Sequence, residues 1–256
     1  MDDLDGKTVL LTGSSSGIGA AAAAAFGDAG AALVAHYGRD ADGAARATSR
    51  IPRERRLLVA ADFAEPGSGR ALWAKAVSWR GRIDVLVLNA AVQPLTPIDA
   101  PDAEWDATWS RVLQVNVLEP ASLMREAVRH FRASGGGTVV TVSSWAAEQG
   151  SALSELTAYA ASKAAVRAMT QTVARVHGKD GVLAFVVAPS IVRTPMSEIS
   201  LSTRGGEDLL AKTLPLGCIV PAEDVAKVVV LAAAAGGCCR HLSGATLDVN
   251  GAAYVR

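Results

Sequence analysis

The chain is poor in cysteine, carries no net charge and has no long hydrophobic run. Its three cysteines, Cys218, Cys238 and Cys239, are odd in number, two of them adjacent, with no C-x-x-C or Cys/His spacing. That pattern argues against a disulfide framework and against a metal site, and leaves reduced thiols. The 25 basic and 25 acidic residues cancel, which removes the electrostatic case for nucleic acid or an anionic membrane as the main partner and favours a small molecule. The longest apolar run, 228–235, is much too short to span a bilayer. The opening MDDLDGKTVLL has neither the positive segment nor the apolar stretch of a signal peptide, so a cytoplasmic location is expected. No Pro/Gly/Ser-rich linker and no internal repeat divides the chain, and one domain over 1–256 is expected.

Half of the residues are hydrophobic, and their order sets the fold class. Short Val/Leu-rich runs, TVLL (8–11), ALVAH (32–36), LLVAAD (57–62), VLVL (85–88), TVVTVS (138–143), LAFVVA (183–188) and ATLDV (245–249), read as seven strands. Between them lie alanine-rich amphipathic stretches, with helices expected at about 18–29, 41–49, 68–79, 105–132, 158–177 and 222–235. Apolar strands without polar alternation belong to a parallel sheet covered on both faces, so a doubly wound α/β fold is predicted. In such a sheet ligands bind at the carboxyl ends of the strands. The segment 195–214 is polar, glycine-bearing and without clear periodicity, which predicts an irregular, mobile lid over a substrate.

Three stretches carry chemistry. TGSSSGIG (12–19) follows the first strand and opens a helix, the context of a phosphate-binding loop: glycine permits a tight turn, and the helix N-terminus offers unpaired N–H groups. On spacing alone it is equally a ligand-free Ser/Gly turn. Tyr159 and Lys163, four apart at a helix start, share one face. A neighbouring ammonium favours a phenolate, so Lys163 is expected to lower the Tyr159 pKa for proton transfer. Pro120 lacks the N–H that would bond the Asn116 carbonyl, which predicts a kink or π-bulge there.

Taken together, these stretches resemble the short-chain dehydrogenase/reductase family. TGSSSGIG is similar to its TGxxxGxG loop, YAASK (159–163) to its YxxxK motif, and DVLVLNAAV (84–92) to its strand ending in NNAG. Asn116 in QVNVLEP resembles the family's helix asparagine, VSS (142–144) its serine, and PSIVRT (189–194) its PGxVxT segment. The resemblance implies a Rossmann-type fold and a catalytic set of Asn116, Ser144, Tyr159 and Lys163, with Ser144 preferred to Ser143. It implies that Asn116 holds a water connecting Lys163 to solvent, and that Ser144 steadies a substrate carbonyl. Cofactor contacts are implied at Gly13, Ser15, Ser16, Gly17, Ile18 and Gly19. Further contacts are implied at Tyr37, Gly38 and Arg39, at Asp62 and Phe63, at Asn89, Ala90 and Ala91, at Tyr159 and Lys163, and at Pro189, Val192 and Thr194. Tyr37 stands where the family's ribose-binding acid usually falls, with Arg39 two residues on, so NADP(H) is favoured; Asp40 nearby keeps NAD(H) possible. Leu88 replaces the first asparagine of NNAG, which puts a strand-locking hydrogen bond in question, and Ser190 replaces the glycine of PGxVxT, which predicts a strained turn.

The expected activity is hydride transfer between nicotinamide C4 and a carbonyl or secondary alcohol, on a sugar, a 3-oxoacyl thioester, a ketone or a steroid. The alternative is a non-catalytic dinucleotide sensor, which has no need of the Ser–Tyr–Lys–Asn set. A homotetramer or homodimer is implied by the resemblance through the small residues of the Tyr159 helix. RIPRERR (50–56) reads as a solvated loop, His36 as a strand residue near the cofactor edge, and Trp105 with Trp109 as helix packing.

Overall fold

Why the apolar runs form strands is visible in which way successive side chains point. Val9 and Leu11 of the first strand sink into one hydrophobic core, Leu10 into another, and all three are buried completely. A strand covered on both faces needs no polar side, hence the unbroken TVLL and VLVL. The computed structural model describes residues 4–202, 205–237 and 239–255, without the side chains of 199–202. Cys238 and the side chain of Leu201 lie outside the described residues. Cys218 is exposed and Cys239 half-buried.

The first half of the chain runs β1 (Thr8–Leu11), α1 (Gly17–Asp28), β2 (Ala32–Tyr37), α2 (Ala41–Ala47), β3 (Arg56–Ala60), α3 (Ser68–Arg80) and β4 (Val85–Leu88). There follow α4 (Asp102–Leu113), a π-helical turn (Gln114–Leu118), α5 (Glu119–Ser134), β5 (Gly137–Val142), α6 (Ala146–Gln149) and α7 (Thr157–His177). The chain then forms β6 (Val182–Pro189), α8 (Pro195–Ser202), α9 (Glu207–Ala211), α10 (Ala222–Ala233) and β7 (Thr246–Val249). Among the described residues the strands make one parallel sheet, in the order β3-β2-β1-β4-β5-β6-β7. Helices cover both faces, as in the Rossmann-type fold expected.

The buried positions of α1, Gly19, Ala22, Ala23 and Phe26, repeat at helical spacing and face α10, whose Val225, Ala226 and Val229 close that core. On the other face Leu72 of α3 and Leu123 and Phe131 of α5 pack over Leu10, Leu86 and Val139. Chain order reverses at β1, which is hydrogen-bonded to β2 on one side and β4 on the other. The carboxyl ends of β1 and β4 diverge there, and a crevice opens between their loops.

Two expectations need correction. The single helix expected over 105–132 is two helices joined by the π-helical turn, where the Glu119 N–H reaches back to the Gln114 carbonyl and Pro120 follows as the first-turn proline of α5. The segment expected to be irregular is largely helical, as α8 and α9. It is anchored by Leu210, buried beside Ile219, and by the Arg193–Glu207 ion pair. Propensity missed these because both helices are too short to show a repeat. No helix among the described residues is long and apolar enough to cross a membrane.

Candidate active site

The crevice beyond β1 and β4 is a cleft of about 520 Å³, and the residues that shape its floor are tied by backbone bonds. Thr12 is the hub. Its Oγ1 donates to the Val87 carbonyl (3.1 Å) and accepts from the N–H groups of Asn89 (2.9 Å) and Ala90 (3.1 Å). The Asn89 Nδ2 donates to the carbonyls of Thr12 and Gly13, each at 3.0 Å. The lock that Leu88 cannot make is therefore made by Asn89, one position later.

At its three glycines the loop has no room for side chains. Gly13 and Gly17 have φ of 72° and 52°, where L side chains are strained. A Cβ on Gly19 would lie 1.8 Å from the Gly13 carbonyl oxygen. The first turn of α1 has no capping side chain and no acidic residue, so its partial positive charge and unpaired N–H groups face the cleft. That cradle suits a pyrophosphate; Gly13, Ser15, Ser16, Gly17, Ile18 and Gly19 all line it.

At the middle of the cleft α7 brings Tyr159 and Lys163 beside the end of β5. The Lys163 ammonium lies 5.7 Å from the Tyr159 ring centroid and donates to the Val142 carbonyl (2.9 Å). Ser143 and Ser144 part company here. The Ser143 hydroxyl is turned inward to the Lys163 carbonyl (2.8 Å), whereas the Ser144 hydroxyl is near enough to the Tyr159 phenol to draw its pKa down and accepts from the Ala146 N–H (3.2 Å). The expectation that Lys163 lowers the phenol pKa meets a stronger opposing effect. Burial pushes Tyr159 up to about 12, with the Ser144 hydroxyl drawing it back, and burial pushes Lys163 down to about 8. Each group favours its neutral form because its charged form has lost hydration.

Asn116 sits on the π-helical turn behind this group and does not line the cleft. Its side-chain amide accepts from the Val92 N–H (2.8 Å), donates to the Val92 carbonyl (2.9 Å) and donates to Ser162 Oγ (3.0 Å). Ser162 in turn donates to the Tyr159 carbonyl (2.7 Å), so one side chain braces the β4 loop against α7.

At the β2 end the cleft is lined by His36, Gly38, Arg39 and Asp40, with Asp62 and Phe63 from beyond β3. Tyr37, expected among the cofactor contacts, is not brought to the cleft. Strand alternation turns it away from the face shared by His36 and Gly38. His36 is the residue that the sequence undervalued. Its Nδ1 accepts from the Gly13 N–H (3.1 Å), so Nε2 carries the proton and donates to the Ala61 carbonyl (2.9 Å), while its ring stacks on Phe63 at 4.4 Å. Burial pushes its pKa down to about 4, which keeps the ring neutral and the tautomer fixed. Arg39 reaches Asp62 at 3.4 Å, and the Ala64 N–H, ahead of Arg39, holds the Asp62 carboxyl below its ordinary range.

At the opposite end Pro189, Val192 and Thr194 line the cleft as expected, Val192 being held by a parallel bridge to Val220. The strain expected at Ser190 is absent: among the described residues only Ala252 combines a side chain with positive φ. The Ser190 hydroxyl accepts the next N–H instead. Gln93 and Arg111 also line the cleft, and no motif marked them; Trp145 and the 151–153 loop line it too, within the stretch between Ser144 and Tyr159 that is long for the family and was expected beside the substrate.

The depressed Lys163 makes a stability prediction. A lysine held below its unfolded value of 10.5 costs stability while it is protonated, and the cost fades as pH rises from about 8 toward 10.5. In protein stripped of nucleotide, Lys163→Met is expected to be more stable than the parent by up to about 3 kcal/mol at pH 7, the gap narrowing toward pH 10. Urea titrations across that range check it, and a gap that widens with pH contradicts it.

The short chain dehydrogenase family matches residues 7–204. The chain is 33% identical over 254 residues to 3beta-hydroxysteroid dehydrogenase 1 of Eggerthella lenta, covering 98% of this chain and 94% of that protein. It is also 33% identical to cis-4-hydroxycyclohexanecarboxylate dehydrogenase of Sinomonas cyclohexanicum, covering 96% and 95%. The structure of 3-oxoacyl (acyl-carrier-protein) reductase from Agrobacterium tumefaciens with NADP bound superposes with a TM-score of 0.87 at 28% identity, covering 98% of this chain and 95% of that one. With the fold, the glycine cradle and the family match in agreement, the chain belongs to the short-chain dehydrogenase/reductase family of NAD(P)-dependent oxidoreductases.

Proposed function

We propose that the protein interconverts a carbonyl and a secondary alcohol, with NADP(H) as the preferred cofactor. The observation that carries this reading is that Ser144, Tyr159 and Lys163 line one cleft together, with the Lys163 ammonium 5.7 Å from the Tyr159 ring, and that this cleft begins in the glycine cradle. When bound, the nicotinamide exchanges a hydride at C4. In the reductive direction the Tyr159 phenol, protonated at neutral pH, gives its proton to the carbonyl oxygen while the Ser144 hydroxyl holds that oxygen as charge develops. Lys163 orients the ribose and, as a cation, stabilises the phenolate left behind. The Asn116 backbone carbonyl, at the π-helical turn before Pro120, would hold the water that relays protons between Lys163 and solvent. In oxidation the same groups run in reverse.

The NADP(H) preference rests on what the β2 end offers. The Asp40 carboxylate is engaged, accepting the Gly43 N–H (2.8 Å) as the cap of α2, whereas the Arg39 side chain is 82% exposed at the cleft edge. An uncommitted acid would bind ribose hydroxyls; a guanidinium that is largely exposed, and shared among the described residues only with Asp62 at 3.4 Å, suits a 2′-phosphate. The relatives named above act, by name, on a hydroxysteroid and a hydroxycyclohexane acid, so ring alcohols head the substrates to try. The segment 195–214, carrying α8 and α9, closes over the substrate end.

A panel of ketones, aldoses and secondary alcohols followed at the NAD(P)H absorbance band tests the reading. Turnover is expected, with kcat/KM at least about tenfold higher for NADPH than NADH, and Arg39→Ala is expected to erase most of that ratio. Tight nucleotide binding without turnover of any compound favours the sensor and defeats the proposal. A clear NADH preference defeats the cofactor assignment.

A further inference from the structure

The cleft separates charge from apolar surface along its length, and the separation bears on the substrate. Five charged side chains line it among the described residues: Arg39, Asp40, Asp62, Arg111 and Lys163. Four of these belong to the β2–β3 end, where Asp62 pairs with Arg39 and feels the charge of Arg111. The fifth, Lys163, is tied to the Val142 carbonyl beneath Tyr159. The lobe beyond Ser144, walled by Trp145, Leu153 and Met196, has no formal charge among the described residues.

Its polar groups are few: two serines, the Gln93 amide and the Trp145 indole N–H. Ser197 Oγ donates to the Thr194 carbonyl (2.8 Å) and accepts the Thr194 N–H (3.1 Å). Ser151 Oγ accepts the Leu153 N–H (3.0 Å), keeping one donor. Gln93 differs from both. Its half-buried amide lines the cleft and makes no hydrogen bond among the described residues. Its backbone is nonetheless held: Val92 is clamped at both its N–H and its carbonyl by Asn116, and the Thr96 N–H donates to the Glu155 carbonyl (3.0 Å). Gln93 thus presents a donor and an acceptor on a braced segment.

Resting on the oxidoreductase reading above, we infer that the substrate is an uncharged, mainly apolar ketone or secondary alcohol bearing one hydrogen-bonding group away from the reacting carbon, and that Gln93 is the residue that recognises this group. A carboxylate entering the lobe would lose its hydration and meet no cation among the described residues. A polyol would bring several hydroxyls to a wall whose uncommitted groups are the Gln93 amide, one Ser151 hydroxyl proton and the Trp145 indole N–H, leaving the others unpaired. A compound with a single polar group loses neither.

A matched pair tests this directly. Binding of methyl 4-oxocyclohexanecarboxylate and of 4-oxocyclohexanecarboxylate to the NADP⁺-loaded protein is measured by calorimetry, and their reduction by NADPH is followed beside cyclohexanone and an aldose. The ester is expected to lead the acid by at least about tenfold in both affinity and kcat/KM, and Gln93→Leu is expected to collapse the ester's lead over cyclohexanone. Equal or better use of the acid, preference for the aldose, failure of the ester to bind, or an unchanged ester-to-cyclohexanone ratio in Gln93→Leu each overturns the inference. Selective binding of the ester without reduction supports it while removing the reaction proposed above.

Discussion

Tyr159→Phe is expected to bind nucleotide as the parent does and to lose about 10²–10⁴-fold in kcat. The separation of the two effects follows from geometry. The ring lies over the Lys163 ammonium at 5.7 Å, and phenylalanine keeps that packing, as it keeps the bond from the Ser162 hydroxyl to the residue 159 carbonyl. The change removes the phenolic O–H alone, and with it both the Ser144 partner and the proton that a carbonyl oxygen would receive. Because burial holds this phenol near 12, reduction is expected to persist across neutral pH, the donor staying protonated. Parallel measurement of nucleotide Kd and kcat checks the variant. A near-parental kcat removes Tyr159 from the mechanism.

The second large effect is expected at Gly19. Here the backbone conformation is ordinary and the space is not: a Cβ would fall 1.8 Å from the Gly13 carbonyl oxygen and 2.7 Å from Asn89 Nδ2. Neither neighbour can move alone. The Gly13 carbonyl accepts from Asn89, and the Gly13 N–H is held by His36, so relief of the clash displaces the cradle and the β4 loop together. Gly19→Ala is therefore expected to weaken nucleotide binding by about 100-fold or more, equivalent to about 3 kcal/mol, and to lower thermal stability as well. Gly178→Ala is the matched control, since a Cβ there meets nothing within 4 Å. Unchanged nucleotide affinity in Gly19→Ala contradicts the close-packed cradle.

These two variants mark the difference between what was legible beforehand and what was not. The glycine at 19 was readable as part of a phosphate loop, yet the reason for its severity, a carbonyl six residues earlier in the same turn, is a tertiary distance. Tyr159 was readable from its spacing to Lys163, and the sign of its shift was not. Spacing brings the ammonium near, but only the packed structure tells how much hydration the phenol has lost, and that loss dominates. The break at Asn116 was foreseeable because Pro120 lacks an N–H whatever surrounds it. That the Asn116 side chain clamps Val92 was not, since the two residues meet across separate elements.

Similar reasoning accounts for the misjudged positions. Tyr37 and His36 are adjacent, and which of them faces the nucleotide depends on the pleat of β2, set by its register against β1 and β3. Ser144 was not misjudged: resemblance preferred it to the chemically identical Ser143, and the structure adds that Ser143 is spent on the Lys163 carbonyl. The helices α8 and α9 are too short for a periodicity to emerge from their residues alone.

By itself the order of amino acids determined the seven strands, the main helices, the glycine loop and the Tyr–Lys pair, because each depends on contacts within a few residues, where pattern and propensity act. Only tertiary structure decided which serine meets the phenol, how His36 pins the loop, where Asn89 locks the strands, and why one end of the cleft is charged and the other is not. Those outcomes depend on separations and lost hydration between segments far apart in the chain, and such quantities exist only once the sheet has brought the segments together.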